Sequence, residues 1–220
     1  WSTGLKSTVR VRTRTGRTLR CTRNHPLLSV TGWRAVETLL VGEKIALARA
    51  LPAPSEPRNP FTADELRLMG SLVCDGSYIR HRSICYVKCP EMVGIVSALV
   101  AERFGVPAKD KPVRGSARQV EFRMDTAGPN KNPLIQWMKS IGMHGQKGAD
   151  KHLPWSVFES SNDRLGVLLG AVWAGDGTVN SRRLKFTNTS PVLIQQVSLM
   201  LTRLGIAHSI SKPYRNQKSR

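Results

Sequence analysis

GVLLGAVWAGDGTVN, residues 166–180, is the stretch on which the fold turns. Nine apolar or small residues lead to Gly175, Asp176 and Gly177, so a packable helix ends on a carboxylate. That end of a helix already carries negative partial charge, where an anion is disfavoured. Asp-Gly is ordinary helix-stop chemistry, and Gly177 can close the helix in the left-handed conformation. A second reading is chemical. Asp176 and the last helical carbonyls together form an oxygen-rich, negative pocket suited to a hard cation such as Mg2+.

The design occurs twice. LMGSLVCDGSYIR at 68–80 is again an apolar helix with small residues, then Asp75-Gly76, then a polar turn. The two aspartates stand 101 residues apart, and each is followed fifteen residues later by a proline, Pro90 or Pro191. Each proline opens an apolar-periodic segment that ends at Gly105 or Gly205 after an arginine in its last turn. Proline at the first helical position and glycine just past the end bracket a helix, and Ser190 offers an N-cap. Each unit therefore reads helix, Asp-Gly, short strands, helix, which is an internal duplication.

If the two aspartate-ended helices pack side by side about a pseudo-twofold axis, their C-terminal ends meet. Gly70, Ser71, Gly170 and Ala171 would let the backbones approach closely. Asp75 and Asp176 would then share or flank divalent cations, with Cys74 and Gly175, the residues just before them, completing the oxygen set. Paired carboxylates repel unless a metal lies between them. Metal sites of this kind hydrolyse phosphodiesters by stabilising both the attacking and the leaving oxygen.

The chain has 34 Lys+Arg against 15 Asp+Glu, a net charge of +19, with 40% hydrophobic residues in 220. That is enough apolar content for a core and enough length for one or two domains. Charge of this size and sign favours a polyanion, most simply nucleic acid, over a small acidic metabolite. No segment is long enough to span a bilayer; the uncharged run 165–175 is eleven residues and holds three glycines. Cys85 and Cys89 lack a second pair to complete a zinc site, so Cys21, Cys74, Cys85 and Cys89 read as free thiols of a reduced, cytoplasmic protein.

The first fifty residues differ in kind. STVRVRTRTGRTLRCTR alternates Val and Thr with Arg around a Thr-Gly, the pattern of a β-hairpin, and contains no acidic residue. Thr22-Arg23-Asn24-His25 then precedes Pro26 and an apolar strand, a Gly32-Trp33 turn, a short helical stretch, Gly42-Glu43 and KIALAR. Residues 50–65, ALPAPSEPRNPFTADE, hold four prolines and form a stiff linker. Thr62 with Glu65 is a capping box that starts the first duplicated helix. The domain boundary falls near residue 55, giving domains 1–54 and 55–220, with repeat one over about 62–150 and repeat two, expected to be truncated, over about 160–220.

The arrangement around Thr22 and His25 resembles the second sequence block of the Hint fold of inteins and hedgehog autoprocessing domains. LMGSLVCDG and LGAVWAGDG resemble the two signature motifs of LAGLIDADG homing endonucleases. KHLPW at 151–155 is similar to a further intein block. Together, in this order, they resemble an intein with an embedded LAGLIDADG nuclease, most like inteins of bacterial replicative DNA helicases. The resemblance implies a partial all-β Hint domain followed by an α+β domain of duplicated α-β-β-α units. It implies Mg2+ at Asp75 and Asp176, a catalytic or phosphate-facing Lys151, and Thr22 and His25 activating the N-terminal splice junction. Lys151 is otherwise readable as a solvated lysine before a turn.

A curved sheet after each Asp-Gly would lie in the major groove of double-stranded DNA. Arg80, Arg82 and Lys88 in unit one, Arg182, Arg183 and Lys185 in unit two, and Arg114, Arg118 and Arg123 are its candidate contacts. The implied partners are duplex DNA and flanking host segments, with no membrane, and the chain is expected to act as a monomer. It begins WSTG and ends NQKSR, so neither splice-junction block of the family is matched, and the expectation is a fragment that does not complete splicing by the family's route. LAGLIDADG folds also serve as RNA maturases and as DNA-binding regulators; both aspartates are retained here, which favours a nuclease. A decayed nuclease kept as an insert is the remaining alternative, and a hedgehog-type domain leaves the duplicated helices unexplained.

Overall fold

The computed structural model describes residues 4–78, 83–87, 90–112, 118–123 and 132–211. Its contacts divide the chain into two units, residues 1–51 with 205–220 and residues 52–204.

In the first unit, the alternation of Val and Arg builds a hairpin. β1 (Thr8–Arg12) pairs antiparallel with β2 (Thr18–Thr22), Val9 opposite Cys21 and Val11 opposite Leu19, Arg10 opposite Arg20 and Arg12 opposite Thr18. The strand period of two puts the apolar set on one face and the arginines on the other. At the turn, Gly16 has φ +85°, and a Cβ there would lie 1.9 Å from the carbonyl oxygen of Ile210. The Ile210 amide donates to the Thr15 carbonyl at 2.7 Å, so the chain after residue 205 returns to this hairpin. β3 (Pro26–Ser29) and β4 (Gly32–Ala35) make a second hairpin, followed by a 3-10 turn at Val36–Thr38. Among the described residues of this unit, Cys21 is the one buried apolar side chain, while Trp33, Leu40 and Val41 are exposed.

The second unit holds the core. In chain order it comprises α1 (Ala63–Asp75), β5 (Gly76–Ser77), β6 (Ser83–Val87), α2 (Pro90–Phe104), β7 (Ala108–Pro112), β8 (Arg118–Phe122) and α3 (Pro133–Ser140). After two 3-10 turns come α4 (Asn162–Asp176), β9 (Gly177–Val179), β10 (Leu184–Phe186) and α5 (Pro191–Arg203). The first four strands form an antiparallel sheet in the order β5-β6-β8-β7, and β9 and β10 form a separate hairpin. Leu66, Met69 and Leu72 of α1 are buried with Leu165, Leu168 and Val172 of α4, and α2 and α5 add Val96, Val100, Val197 and Met200.

Local chemistry sets the helix ends. The Thr62 hydroxyl accepts from the Glu65 amide at 3.2 Å and the Glu65 carboxylate accepts from the Thr62 amide at 2.8 Å, completing the capping box. The Ser190 hydroxyl accepts from the Leu193 amide at 3.1 Å and caps α5. α2 and α5 open on their prolines and stop ahead of Gly105 (φ +64°) and Gly205 (φ +72°).

The Asp-Gly junctions correct one expectation. Gly177 is not left-handed; it has φ −81° and ψ 151°, and Gly76 has φ −82° and ψ 149°. The chain passes from helix straight into strand, each glycine amide donating to the carbonyl four residues back, Leu72 or Trp173. Space, not handedness, demands glycine: a Cβ would stand 2.3 Å from the Leu72 carbonyl oxygen or 2.2 Å from that of Trp173.

The most extensive contact between elements joins α1 to α4. A Cβ on Gly70 would lie 2.5 Å from the Ala171 Cβ, and one on Gly175 would lie 2.5 Å from the Cys74 Cβ. Gly170 faces open space, so it does not line the contact as expected, and the Ser71 hydroxyl donates to the Arg67 carbonyl at 3.1 Å. One residue along a helix is a rotation of about 100°, enough to turn Gly170 out to solvent while its neighbour Ala171 meets the partner.

Candidate metal and nucleic-acid site

Asp75 and Asp176 are the last residues of α1 and α4, and the close approach of those helices brings their ends together. The Oδ2 atom of Asp75 is 3.2 Å from where a Cβ on Gly175 would stand, so that glycine leaves the space beside the carboxylate. Between the helices, the Cys74 thiol donates to the Val172 carbonyl at 3.4 Å. Burial pushes this thiol well above its ordinary range, and the charges of Asp176 and Asp75 push it further. Both carboxylates therefore act on one sulfur atom, which stays protonated.

The two negative helix ends are compensated differently. At α1, the Lys151 ammonium donates to the Gly76 carbonyl at 2.6 Å and the Cys74 carbonyl at 3.3 Å, and lies 5.5 Å from the Tyr78 ring centroid. A lysine here is what a helix C-terminus favours. At α4, Asn188 donates through Nδ2 to Asp176 Oδ2 at 2.6 Å, while its Oδ1 accepts from the Ser190 amide at 2.7 Å. The amide is thus oriented from the N-terminus of α5. Asn188 was not singled out from sequence; an asparagine twelve residues beyond Asp176 in a polar loop carries no motif.

A cavity of about 300 Å³ opens at this end of α1, lined by Gly76, Ser77, Gln146, Lys147, Lys151 and Asn188 among others. Its two lysines suit an anionic group beside the carboxylates. Among the described residues no group of three or more His, Cys, Asp or Glu side chains could hold a metal ion. Two carboxylates with helix-end carbonyls are a poor set for zinc, which takes four N or S ligands, but fit Mg2+, which is commonly held by one or two carboxylates plus water and phosphate oxygens. The Cys74 carbonyl, counted from sequence among those oxygens, already accepts from the Lys151 ammonium.

The other sequence-named residues are scattered. Arg182, Arg183 and Lys185 are exposed together at the β9–β10 turn, where the Asn180 carboxamide oxygen accepts from the Arg182 and Arg183 amides at 3.1 and 2.9 Å. Arg118 is bound to Asp110 at 2.9 and 2.5 Å, and this pairing holds the Asp110 carboxyl below the usual carboxylate range. Arg123 is exposed. Arg80, Arg82, Lys88 and Arg114 lie outside the described residues, as does Cys89. In the first unit the His25 amide donates to the Thr22 carbonyl at 3.1 Å, so one turn brings the pair together, with His25 exposed and Thr22 half-buried. No helix among the described residues is long and apolar enough to cross a membrane.

Residues 165–220 match the family model of the LAGLIDADG-like domain. Over 99% of its length the chain is 30% identical to the replicative DNA helicase DnaB of Rhodothermus marinus, covering 24% of that protein. It is 25% identical to protein RecA of Mycobacterium bovis over 94% of the chain, covering 27% of RecA. The chain thus spans about a quarter of the length of these curated relatives. A crystal structure of I-DmoI in complex with DNA and Mn aligns with a TM-score of 0.44 and 14% identity, covering 65% of this chain and 78% of that one. The LAGLIDADG signature that two of the sequence blocks resemble is thus matched by a family model over the second of them, and over its length the chain is similar to a segment of replicative DNA helicases.

Proposed function

We propose that the chain is an intein-encoded, site-specific DNA endonuclease that makes a double-strand break in the uninterrupted host gene. The observation that carries this reading is the convergence of Asp75 and Asp176 at the ends of two tightly packed helices, beside a cavity edged by Lys147 and Lys151. The net charge of +19 suits a polyanionic substrate. Alignment of one 220-residue chain with about a quarter of a helicase and about a quarter of RecA fits an inserted element better than a domain of either host.

In this reading Asp75 and Asp176 would hold Mg2+ with a helix-end carbonyl such as that of Gly175, the Cys74 carbonyl being taken by Lys151. When bound, the cation neutralises charge on the phosphodiester and lowers the pKa of water. Asn188 keeps the Asp176 carboxylate in one orientation. Lys151 and Lys147 attract the phosphate. Arg80, Arg82, Lys88, Arg114, Arg118 and Arg123 with Arg182, Arg183 and Lys185 grip the duplex, and because the two halves differ in sequence the target is asymmetric. One chain carries both aspartates, so a monomer suffices. Thr22 and His25 belong to a partial Hint fold that supports splicing in the setting of the flanking host segments, in the cytoplasm.

A second reading, an insert whose nuclease has decayed, draws on one observation: β9 and β10 are three residues each, against a four-stranded sheet in the other half. Incubation with Mg2+ and a plasmid carrying an uninterrupted replicative-helicase gene separates the two. A single cut near the insertion point, absent in EDTA, is expected. Binding without any cut in Mg2+ or Mn2+ favours the decayed insert.

A further inference from the structure

The arginine face of the β1–β2 hairpin enters no ion pair among the described residues. The first 36 residues hold eight basic side chains and no acidic one. Two of the eight are used within the fold: Arg17 donates to the Ala48 carbonyl at 3.3 Å, and Arg34 pairs with Glu43 at 3.1 Å. Arg10, Arg12, Arg14, Arg20 and Arg23 take part in none of the ion pairs among the described residues. Arg10 and Arg12 project from the exposed face of β1, and Arg20 is exposed on β2 directly opposite Arg10. Like charges directly opposite each other destabilise a strand pair. Thr8, Thr18 and Thr22 complete this face, and Arg20 Nε donates to the Thr8 hydroxyl at 2.8 Å, which holds one guanidinium flat along the ribbon.

A cross-strand Arg–Arg pair without a counter-ion costs the folded hairpin stability and recovers it when an anion of repeating charge lies along the face. We infer that the β1–β2 ribbon is a second nucleic-acid surface, formed by the first unit alone, which binds the phosphate backbone of duplex DNA through Arg10, Arg12 and Arg20. Guanidinium groups suit phosphate because their donors match its oxygens two at a time. The role rests on the DNA-directed reading above and extends it: the element that carries Thr22 and His25 adds affinity for DNA regardless of sequence, separately from the metal site.

The test is the salt dependence of binding to a duplex that lacks any cleavage site, measured by fluorescence anisotropy on the full chain. Releasing three phosphate contacts lowers the slope of log K against log salt by about 2.7, at about 0.9 per contact. The triple variant Arg10→Gln, Arg12→Gln, Arg20→Gln is expected to show that drop and to melt no lower than wild type, since a repulsive pair has been removed. An unchanged slope in a folded triple variant overturns the inference while leaving the nuclease reading intact. The drop is expected to be the same in EDTA as in Mg2+, which separates this surface from the metal site. Wild-type protein that binds no duplex DNA overturns both readings. Arginine-dependent binding to anionic vesicles that exceeds binding to DNA assigns the face to a membrane and also overturns the inference.

Discussion

Asn188 fixes how Asp176 faces the site, because its carboxamide is held at both ends, by the Ser190 amide and by the carboxylate itself. Removing a partner that orients a metal-binding carboxylate typically costs about 10- to 100-fold in metal affinity or activity. Asn188→Ala is therefore expected to slow cleavage by about that factor with DNA affinity unchanged, measured as rates at saturating DNA. Two glycines in α4 behave oppositely. Gly175→Ala drives a methyl to 2.5 Å from the Cys74 Cβ, an overpacking that costs about 1–3 kcal/mol, whereas Gly170→Ala enters open space and gains roughly 0.5–1 kcal/mol of helix propensity. Thermal melts of both variants check the contrast. Cys74 carries a pH signature. Its folded-state pKa is raised, so its stabilising contribution is complete below the ordinary thiol range and declines as pH rises through it, because the unfolded chain releases the proton first. Peptide mapping is expected to find Cys74 unalkylated in the folded protein at mildly alkaline pH and alkylated in denaturant. At this scale Asp75 and Asp176 were legible because a duplicated carboxylate at a disfavoured helix end needs a reason. Asn188 was not, since its meaning arises only when the loop before α5 folds back onto α4.

Each long helix pair is closed by an arginine near the end of its second helix, and the two closures differ in depth. Arg103 of α2 reaches the Glu65 carboxylate at the start of α1, at 3.2 and 3.1 Å, with its side chain 55% exposed. Arg203 of α5 is 6% exposed and donates to the Phe158 and Ser160 carbonyls at 2.6 Å and to Asn162 Oδ1 at 3.2 Å, around the start of α4. Burial lowers the pKa of Arg203 below its ordinary value. Charged hydrogen bonds are worth about 1.5–3 kcal/mol and exposed ion pairs about 0–1. Arg203→Ala is thus expected to lower stability by about 1.5–3 kcal/mol, more than Arg103→Ala, in urea unfolding. The arginines were legible only as last-turn residues before a glycine. Their partners, the Glu65 carboxylate in the first turn of α1 and the Phe158 and Ser160 carbonyls ahead of α4, are far along the chain, and no local pattern pairs them. The helices were readable from proline, glycine and capping residues, all of which act within a few positions. The geometry of the Asp-Gly junction was not, because left-handed closure and a tight helix-to-strand passage use the same two residues.

Across the molecule, the buried apolar side chains concentrate in residues 52–204, and the first unit has Cys21 alone among its described residues. The alternation in β1 and β2 revealed the hairpin but not the thinness of its core, since period two marks which residues share a face and says nothing of what covers them. The return of residues 205–211 to that hairpin, through Ile210 and Thr15, was equally hidden, because it depends on a contact between distant parts of the chain. In the other unit α1 and α4 press together, and their ends carry the proposed metal centre of Asp75 and Asp176. Its most direct measurement is Mg2+-dependent cleavage of a supercoiled target plasmid by wild type, Asp75→Asn and Asp176→Asn at matched DNA occupancy. The expected result is a linear product from wild type and none from either variant, with both variants still bound to DNA. A variant that cuts both strands at the wild-type rate would contradict a shared centre and return its aspartate to the role of a helix end.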